Sequence, residues 1–254
     1  MILVENCIII TLKRNKKITP GSLMELFKHT FFINLDHRTD RLKHVESELD
    51  KMGIRGERIN AVKAKVGGIG CTLSHIRCLE EAKKRGYEQV FICEDDITFT
   101  DPDQFKRQLQ KFWDNKEIQW DILLVGANVV PPYQRVGDYC ARIFNGQTTT
   151  AYVAKREMYD VLLENFKESC QLQMKNPAQP GISNPYALDM WWKRLQPQYF
   201  WYIITPLTVT QCESFSEIEQ RVTNYDHLML DMEKTWYTNG GAGSGPSMKM
   251  NLGK

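Results

Sequence analysis

Three consecutive carboxylates, Glu94, Asp95 and Asp96, have the residue types and the spacing for metal-assisted chemistry. They follow residues 90–93, an apolar run that predicts a strand buried on both faces. Because an apolar core could not hold unpaired carboxylates, we expect the triplet at an open strand end, where the ligands of α/β sheets collect. Clustered carboxylates at such a place suit a hard divalent cation, Mn²⁺ or Mg²⁺.

Side-chain alternation along a strand divides this triplet between two faces. In an extended segment Glu94 and Asp96 point the same way, and Asp95 points the other way. Glu94 and Asp96 are therefore the predicted metal ligands, in a spacing similar to a DXD motif, and Asp95 is the alternative partner of Asp96. The alternative interpretation is a solvated acidic turn, because acidic clusters are common in loops.

The first predicted strand, residues 30–35, leads through a polar loop into a helix and so forms a βα unit. The loop and the helix N-terminus of such a unit favour an anionic ligand. Arg38 and Arg41 would add charge-assisted hydrogen bonds to a phosphate at this place. The alternative is that both arginines lie on a solvated helix face.

A glycine-rich segment, residues 67–75, is predicted to be a loop that enters a second helix. Glycine lets the backbone approach a ligand closely, and Thr72 or Ser74 can cap the helix. The segment has neither the Gly-Lys-Ser/Thr end of a Walker A loop nor a GxGxxG pattern. His75 could be a ligand or a base, although a single histidine at the start of a helix is more often structural.

A carboxylate beside paired tryptophans follows the proline-rich loop predicted at residues 175–185. Asp189, Trp191 and Trp192 suit an acceptor site, because sugars often lie against aromatic faces. The alternative is that the two tryptophans are core residues and that Asp189 caps a helix.

Other elements are predicted from capping residues and apolar runs. Thr39 or Asp40 is expected to cap the first helix, Gly53 to end it, and Asp101-Pro102 to start a later one. Two strands are expected on either side of an Asn145-Gly146 turn. The remaining strands are predicted at 57–61, 120–126, 199–205 and 207–211.

The length of 254 residues, with 42% hydrophobic residues, allows one substantial core with a small appendage. We predict an N-terminal extension at 1–28, a main domain at 29–220, and a C-terminal segment with a flexible Gly/Ser-containing tail at 221–254. The formal net charge of +2 is too balanced to indicate a nucleic-acid or membrane-surface protein.

The seven cysteines have no CxxC spacing, and an odd number cannot all pair within one chain. This pattern predicts mostly buried free thiols in a reducing compartment. No apolar run approaches the roughly 20 residues needed to span a bilayer. Because the first basic cluster follows two apolar runs, the start of the chain has the wrong order for a secretory signal. We therefore expect a cytoplasmic protein without a transmembrane segment.

Several of these pieces, in this order, resemble glycosyltransferase family 25, which includes bacterial lipooligosaccharide galactosyltransferases and procollagen galactosyltransferases. Each segment alone is a weak indication of the family, but their occurrence in this order is specific. Together they cover roughly residues 30 to 220. The matching segments are 32–35 with Arg38 and Arg41, 59–62, 68–75, 94–96, 150–153, 188–189, Gln211 and 214–218. Residues 128–138 match no pattern of the family, so the acceptor region has the least support.

The resemblance implies an α/β fold of the GT-A type, with a Rossmann-like mixed central sheet that binds a nucleotide sugar. It also implies inverting transfer of a hexose, usually galactose from UDP-galactose, to a hydroxyl acceptor on a glycan or on a protein, such as hydroxylysine. UDP-glucose is a possible donor as well. Glu94 and Asp96 would hold Mn²⁺ or Mg²⁺, and Asp189 is the candidate base. The candidate donor-binding residues are Asn34, Leu35, Arg38, Arg41, Gly68, Gly70, Ser74, His75 and Asp95.

Two other functions are compatible with the same scaffold. The first is a non-catalytic carbohydrate-binding or adhesion module, since a fold does not fix a function. The second is a hydrolase that transfers the sugar of a UDP-sugar to water. The intact acidic triplet argues for an enzyme, because a pure binder has no need for a diphosphate metal site.

Overall fold

A mixed sheet of eight strands forms the centre of the protein in the computed structural model, which describes residues 23–177, 184–216, 218–219 and 221–234. Two pairs of short strands lie outside this sheet. The strands are β1 Thr30–Asn34, β2 Glu57–Asn60, β3 Gln89–Glu94, β4 Ile97–Phe99, β5 Ile122–Val129, β6 Tyr133–Val136, β7 Cys140–Ile143, β8 Gly146–Lys155, β9 Trp201–Ile204, β10 Val209–Gln211, β11 Ser214–Ser216 and β12 Arg221–Thr223. The helices are α1 Thr39–Met52, α2 Gly67–Lys84, α3 Pro102–Asp114, α4 Tyr159–Lys175, α5 Leu188–Trp191 and α6 Asp226–Met229, with 3₁₀ turns at Leu23–Phe27, Arg156–Met158 and Trp192–Leu195.

The strand order of the central sheet is β2-β1-β3-β8-β5-β9-β7-β6. β1 runs parallel to β2 and β3, and β5 runs parallel to β9, whereas β8 is antiparallel to both β3 and β5. Helices α1 and α2 connect the parallel strands β1, β2 and β3, as βα units require. The predicted fold class, α/β with a mixed central sheet, is confirmed.

The apolar runs become the central strands because both faces of the sheet are covered. Along β3, Val90 and Ile92 belong to the hydrophobic cluster on one face, and Phe91 and Cys93 to the cluster on the other. All four are fully buried. β1 and β3 are neighbours whose register pairs Ile33 with Glu94, so the carboxyl ends of the two strands lie side by side. This edge of the sheet positions the acidic triplet.

Two predicted helix boundaries are confirmed and one differs. Gly53 ends α1 in the left-handed conformation, with φ of 71°, and the Asp101 side chain accepts a hydrogen bond from the Gln104 amide at the start of α3. The N-cap of α1 is Arg38, and no side chain caps it, so neither Thr39 nor Asp40 has the expected capping role.

The two strands expected around the Asn145-Gly146 turn exist, but they do not pair with each other. β8 lies between β3 and β5, while β7 pairs with β9 and β6. The turn therefore joins strands at separate places in the sheet, and non-local packing overrides the hairpin signal.

Part of the segment assigned to the N-terminal extension packs into the main core. Leu26 and Phe27 are buried in the 3₁₀ turn, and the Phe27 ring meets the Phe91 ring edge-on at 4.9 Å between centroids. Residues 1–22 of the predicted extension, and the Gly/Ser-containing tail, lie outside the described residues.

Six cysteines lie among the described residues, and all six are free thiols, as predicted. They are Cys71, Cys78, Cys93, Cys140, Cys170 and Cys212. Four of them are buried. Cys7 lies outside the described residues. In the part of the chain that the structure describes, no helix combines the length and the apolar character needed to cross a membrane.

Gly70 allows the first turn of α2 to pack against the segment that leads into it. A Cβ at Gly70 would lie 2.5 Å from the Val62 carbonyl oxygen, which belongs to the backbone. We expect Gly70→Ala to lower the free energy of unfolding in urea by about 1–3 kcal/mol, through overpacking. Gly68→Ala is the matched control, because its Cβ would meet only the Gln173 side-chain oxygen, at 3.0 Å. Equal stability of the two variants would contradict this explanation.

Candidate functional site

The acidic triplet lies where β3 ends and a turn leads into β4. Glu94 is the last residue of β3, and Asp95 and Asp96 form the turn. Because the strand ends at Glu94, strict alternation does not continue through the triplet. Glu94 contacts side chains of α2 and β8, whereas Asp95 and Asp96 both bind Arg41. Glu94 therefore has different protein partners from the two aspartates.

Arg41 of α1 is the cationic partner of the two aspartates. Its Nη1 donates to Asp95 Oδ1 and to Asp96 Oδ2, both at 3.0 Å, and the three side chains are largely buried. Its Nη2 donates to the Ser214 hydroxyl at 2.6 Å and to the Phe215 carbonyl at 3.3 Å. Arg41 therefore joins the acidic turn to the β11–β12 strand pair.

Two oxygen atoms at this edge of the sheet have no hydrogen-bond donor among the described residues. They are Asp96 Oδ1 and Asn34 Oδ1, and both are buried. Asn34, the last residue of β1, donates through its Nδ2 to Asp95 Oδ2 at 2.7 Å and to the Arg38 carbonyl at 3.1 Å. Buried acceptors without donors are costly, so these two oxygens mark a place where a cation would be stabilised.

The charge of the triplet exceeds that of its partner. Arg41 pairs with Asp95 and Asp96, two of the three carboxylates. When all three acids are ionised, the triplet has two more negative charges than this guanidinium has positive charges. Burial, and next the negative charge of Glu94, raise the pKa of Asp96 to about 8, although Arg41 opposes the rise. Burial also raises the pKa of Asp95, against Arg41 and Asn34. A divalent cation would relieve this excess.

Glu94 is held by a different set of groups. Its Oε1 accepts a hydrogen bond from the Thr149 hydroxyl at 2.6 Å, lies 3.3 Å from His75 Nε2, and is 3.8 Å from the Cys71 sulfur. Its Oε2 is approached only by the Gln211 amide, at 3.5 Å, among the contacts of the described residues. Burial acts to raise the pKa of Glu94, but the contacts with His75 and Thr149 outweigh it, so the pKa is lowered.

His75 is fully buried on α2 and is fixed from both sides. Its Nδ1 lies 3.1 Å from the Tyr152 hydroxyl, and its Nε2 faces Glu94. Cys71 lies one turn earlier on the same helix, so the two side chains share a face. Burial, and then the charges of Glu94 and Asp189, raise the pKa of the Cys71 thiol well above its ordinary value.

Asp189 belongs to the same site, although it is distant in sequence. Its Oδ2 accepts a hydrogen bond from the Thr148 backbone amide at 2.9 Å. The α5 cap has no side-chain hydrogen bond, so Asp189 is not the helix cap of the alternative interpretation. Burial raises the pKa of Asp189, and the nearby Glu94 charge adds to the rise, while the Thr148 amide and Lys193 oppose it. A raised carboxylate pKa suits a general base.

The two tryptophans beside Asp189 have different environments. Trp192 is a core residue, fully buried, with its ring edge-on to Trp201 and its Nε1 donating to the Gly146 carbonyl. Trp191 is only partly buried; its Nε1 donates to Glu168, and the Arg194 guanidinium lies over its ring. Of the pair, Trp191 alone keeps a partly accessible ring.

The candidate donor-binding residues fall into two groups. Asn34, Arg41, His75 and Asp95 contact the acidic triplet or belong to it. The others make local contacts within the protein.

In the first loop, Arg38 forms an ion pair with Asp40 and donates to the Phe215 carbonyl. The Leu35 carbonyl accepts the Arg38 amide in the turn after β1. Neither contact joins the acidic triplet.

The glycine-rich segment is not a loop, because α2 already begins at Gly67 with Val66 as its cap. The Ser74 hydroxyl accepts the Val62 amide and donates to the Gly70 carbonyl, so neither Ser74 nor Thr72 caps the helix. Gly70 serves close backbone packing, and Gly68 lies near Gln173.

Thr149 and Tyr152 are site residues that sequence reasoning did not select. Both lie on β8, which crosses between β3 and β5 and so brings them to Glu94 and His75. The run of three threonines at 148–150 was an available signal, because hydroxyls in an otherwise apolar strand need hydrogen-bond partners.

Comparison with known proteins identifies a family in the region that carries the site. Residues 66–131 match Glycosyltransferase family 25 (LPS biosynthesis protein). A curated relative from Bos taurus, "Probable inactive glycosyltransferase 25 family member 3", is 28% identical and matches 42% of this chain. The match covers 23% of that relative, so the chain spans about a quarter of its length.

Two solved structures of glycosyltransferases align with part of this chain. A glycosyltransferase involved in the glycosylation of the major capsid of PBCV-1 aligns with 69% of this chain and 80% of its own, at 10% identity and a TM-score of 0.44. A Drosophila β-1,4-galactosyltransferase 7 in complex with manganese, UDP-Gal and xylobiose aligns with 78% of this chain and 72% of its own, at 10% identity and a TM-score of 0.38.

The family match contains α2, which carries Cys71 and His75, and the acidic triplet, whose Glu94 they contact. These segments are among those on which the resemblance was based. The predicted resemblance to glycosyltransferase family 25 is confirmed over residues 66–131, which match the family.

Proposed function

We propose that this protein is a metal-dependent inverting glycosyltransferase that moves a hexose, galactose by preference, from a UDP-sugar to a hydroxyl acceptor. The observation that carries the proposal is the negatively charged edge of the sheet, where the acidic triplet lies inside the family-matched region and Asp96 Oδ1 is buried without a hydrogen-bond donor among the described residues. A glycan or a protein hydroxyl such as hydroxylysine is the proposed acceptor.

The residues at this edge fit a hard divalent cation. Asp96 Oδ1 has no donor among the described residues, and Glu94 Oε2 has one long contact, so each offers an oxygen lone pair. Oxygen donors of this kind suit Mn²⁺ or Mg²⁺. When bound there, the cation would supply charge stabilisation to the diphosphate leaving group.

Asp189 is the proposed base. As the acceptor hydroxyl attacks the anomeric carbon from the face opposite UDP, its proton passes to the Asp189 carboxylate. The bond between the anomeric carbon and the UDP oxygen breaks, and its electron pair leaves with UDP. The Thr148 amide holds Asp189 Oδ2, which leaves Oδ1 to receive the proton.

The direct test is UDP release by the purified protein from a panel of UDP-sugars, with Mn²⁺ and with EDTA. We expect release from one sugar, dependent on the metal and increased by an acceptor. Release that no acceptor increases, with free sugar as the product, would support the hydrolase instead. Absence of release from every donor, with glycan and hydroxylysine acceptors supplied, would support a non-catalytic module, in keeping with the relative that is named inactive.

Removing Arg41 is expected to destabilise the fold and to increase the response to a cation. Arg41→Gln leaves two buried aspartates without their cationic partner, and breaking a buried ion pair in this way costs about 3–5 kcal/mol. Because the charge excess grows, Mn²⁺ should raise the free energy of unfolding more in the variant than in the wild type. Urea unfolding with and without Mn²⁺ measures both effects.

Arg38→Gln is the matched control for this prediction. Arg38 is the N-cap residue of the same helix and also donates to the Phe215 carbonyl, but its carboxylate partner, Asp40, is exposed. Loss of such a pair costs about 1 kcal/mol or less. An equal gain from Mn²⁺ in the wild type and in Arg41→Gln would contradict competition between Arg41 and the cation.

A further inference from the structure

Three potential metal ligands converge at Glu94, the first residue of the acidic triplet. They are the Cys71 sulfur, His75 Nε2 and Glu94 Oε1, whose atoms all lie within 4.8 Å of one another. Cys71 and His75 come from successive turns of α2, and Glu94 comes from the end of β3. His75 and Glu94 are also candidate site residues from the sequence, whereas Cys71 is not.

The donor types distinguish this cluster from the hard cation site of the proposed function. Mn²⁺ and Mg²⁺ prefer oxygen ligands, whereas a thiolate and an imidazole together favour zinc. We propose that Cys71, His75 and Glu94 form a binding site for Zn²⁺, with three protein ligands and a fourth position open.

The two donor distances that involve Glu94 agree with tetrahedral zinc. Zinc bonds of usual length, set at tetrahedral angles, separate a nitrogen from an oxygen ligand by about 3.4 Å and a sulfur from an oxygen ligand by about 3.6 Å. The corresponding separations here are 3.3 Å for His75 to Glu94 and 3.8 Å for Cys71 to Glu94. His75 and Cys71 therefore each lie close to the required spacing from Glu94 before an ion binds, and all three donor atoms lie within 4.8 Å of one another.

The surroundings also resemble those of a built metal site. Histidine ligands of metals generally donate their second ring N–H to a fixed acceptor, which orients the ring. His75 Nδ1 lies 3.1 Å from the Tyr152 hydroxyl, and both residues are fully buried. Glu94 Oε1 also accepts a hydrogen bond from the Thr149 hydroxyl. When the ion binds, the Cys71 thiol releases its proton to solvent, and the sulfur takes the metal in its place.

Glu94 can serve this site and the proposed donor site through different oxygens. Oε1 faces Cys71 and His75, while Oε2 is approached only by Gln211 among the described contacts. The zinc site does not require that the protein transfers a sugar. It is tested with the metal alone, so its failure and the failure of the proposed transfer are separate results.

The test is titration of the purified full chain with Zn²⁺ against a chromophoric chelator, and with Co²⁺ as a spectroscopic probe. We expect one Zn²⁺ per chain and a thiolate-to-cobalt charge-transfer band in the near ultraviolet. Cys71→Ser should remove the band. Tyr152→Phe, which keeps the ring but removes the hydroxyl from His75, should weaken zinc binding by about 10–100-fold.

Cys212→Ser is the matched control, because Cys212 lies near the aspartates but contacts Ser214 instead of Glu94. It should keep the cobalt band and the zinc affinity of the wild type. A band that persists in Cys71→Ser, or that is lost in Cys212→Ser, would overturn the assignment. Failure of the folded wild type to take up stoichiometric Zn²⁺ would overturn it as well, whether or not any variant folds.

Discussion

Asp96→Asn is expected to abolish metal-dependent binding of the UDP-sugar while the fold is retained. Asparagine keeps the size of the side chain but removes the charge, and Asp96 Oδ1 is the buried oxygen that no described residue satisfies. Loss of a residue that only supports a metal ligand weakens metal binding by about 10–100-fold. Loss of Asp96, a proposed direct ligand, should weaken it by more. Calorimetric titration with UDP, in Mn²⁺ and in EDTA, measures the metal-dependent part.

The fold should survive this substitution, because it removes buried charge from a cluster that already has an excess. Thermal unfolding without metal should therefore change little or rise. Asp103→Asn is a suitable control, since Asp103 is exposed in the first turn of α3. If Asp96→Asn binds UDP with the same metal dependence as the control, Asp96 is not a ligand.

The buried strands were predictable because their signal is local. The apolar runs of β1, β3 and β5 are each long enough for a strand covered on both faces, and the structure places all three in the central sheet. The C-terminal end of α1 and the start of α3 were predictable for the same reason: Gly53 and Asp101-Pro102 act on residues next to them in the chain. Neither signal requires knowledge of the tertiary structure.

The partners of the acidic triplet were not predictable from spacing. Arg41 was assigned to a phosphate because it begins a helix after a strand, yet in the structure it binds Asp95 and Asp96, more than 50 positions away. The ion pair depends on how α1 lies over the end of β3. The sequence shows that a cationic Arg41 and anionic aspartates are present. It does not show whether they form an ion pair with each other or bind a ligand.

The position of β8 in the sheet explains why Thr149 and Tyr152 were not predicted as site residues. An antiparallel strand between β3 and β5 brings Thr149 to Glu94 and Tyr152 to His75. Its neighbour Thr148, at φ of 65°, also presents its amide to Asp189. Hairpin statistics favour pairing of β7 with β8, and that pairing would have placed these residues elsewhere. The topology of one strand therefore decides the composition of the site.

Asp189→Asn is expected to keep donor binding and to lose transfer. The asparagine oxygen can still accept the Thr148 amide, so the β8 backbone stays in place, but the side chain can no longer take a proton. Loss of a general base costs about 10²–10⁴-fold in rate. The measurement is the turnover number with saturating UDP-sugar and acceptor, together with the dissociation constant for UDP in Mn²⁺.

The two measurements separate a base from a residue that only maintains the fold. A structural role would weaken UDP binding and thermal stability along with turnover, whereas a base affects turnover alone. Asp160→Asn provides the comparison, because Asp160 is an exposed acid on α4 that pairs with Lys83 at the surface. Wild-type turnover in Asp189→Asn would remove Asp189 as the base. The proton would then have to pass to another group near Glu94, and the acceptor would approach from a different side of the site.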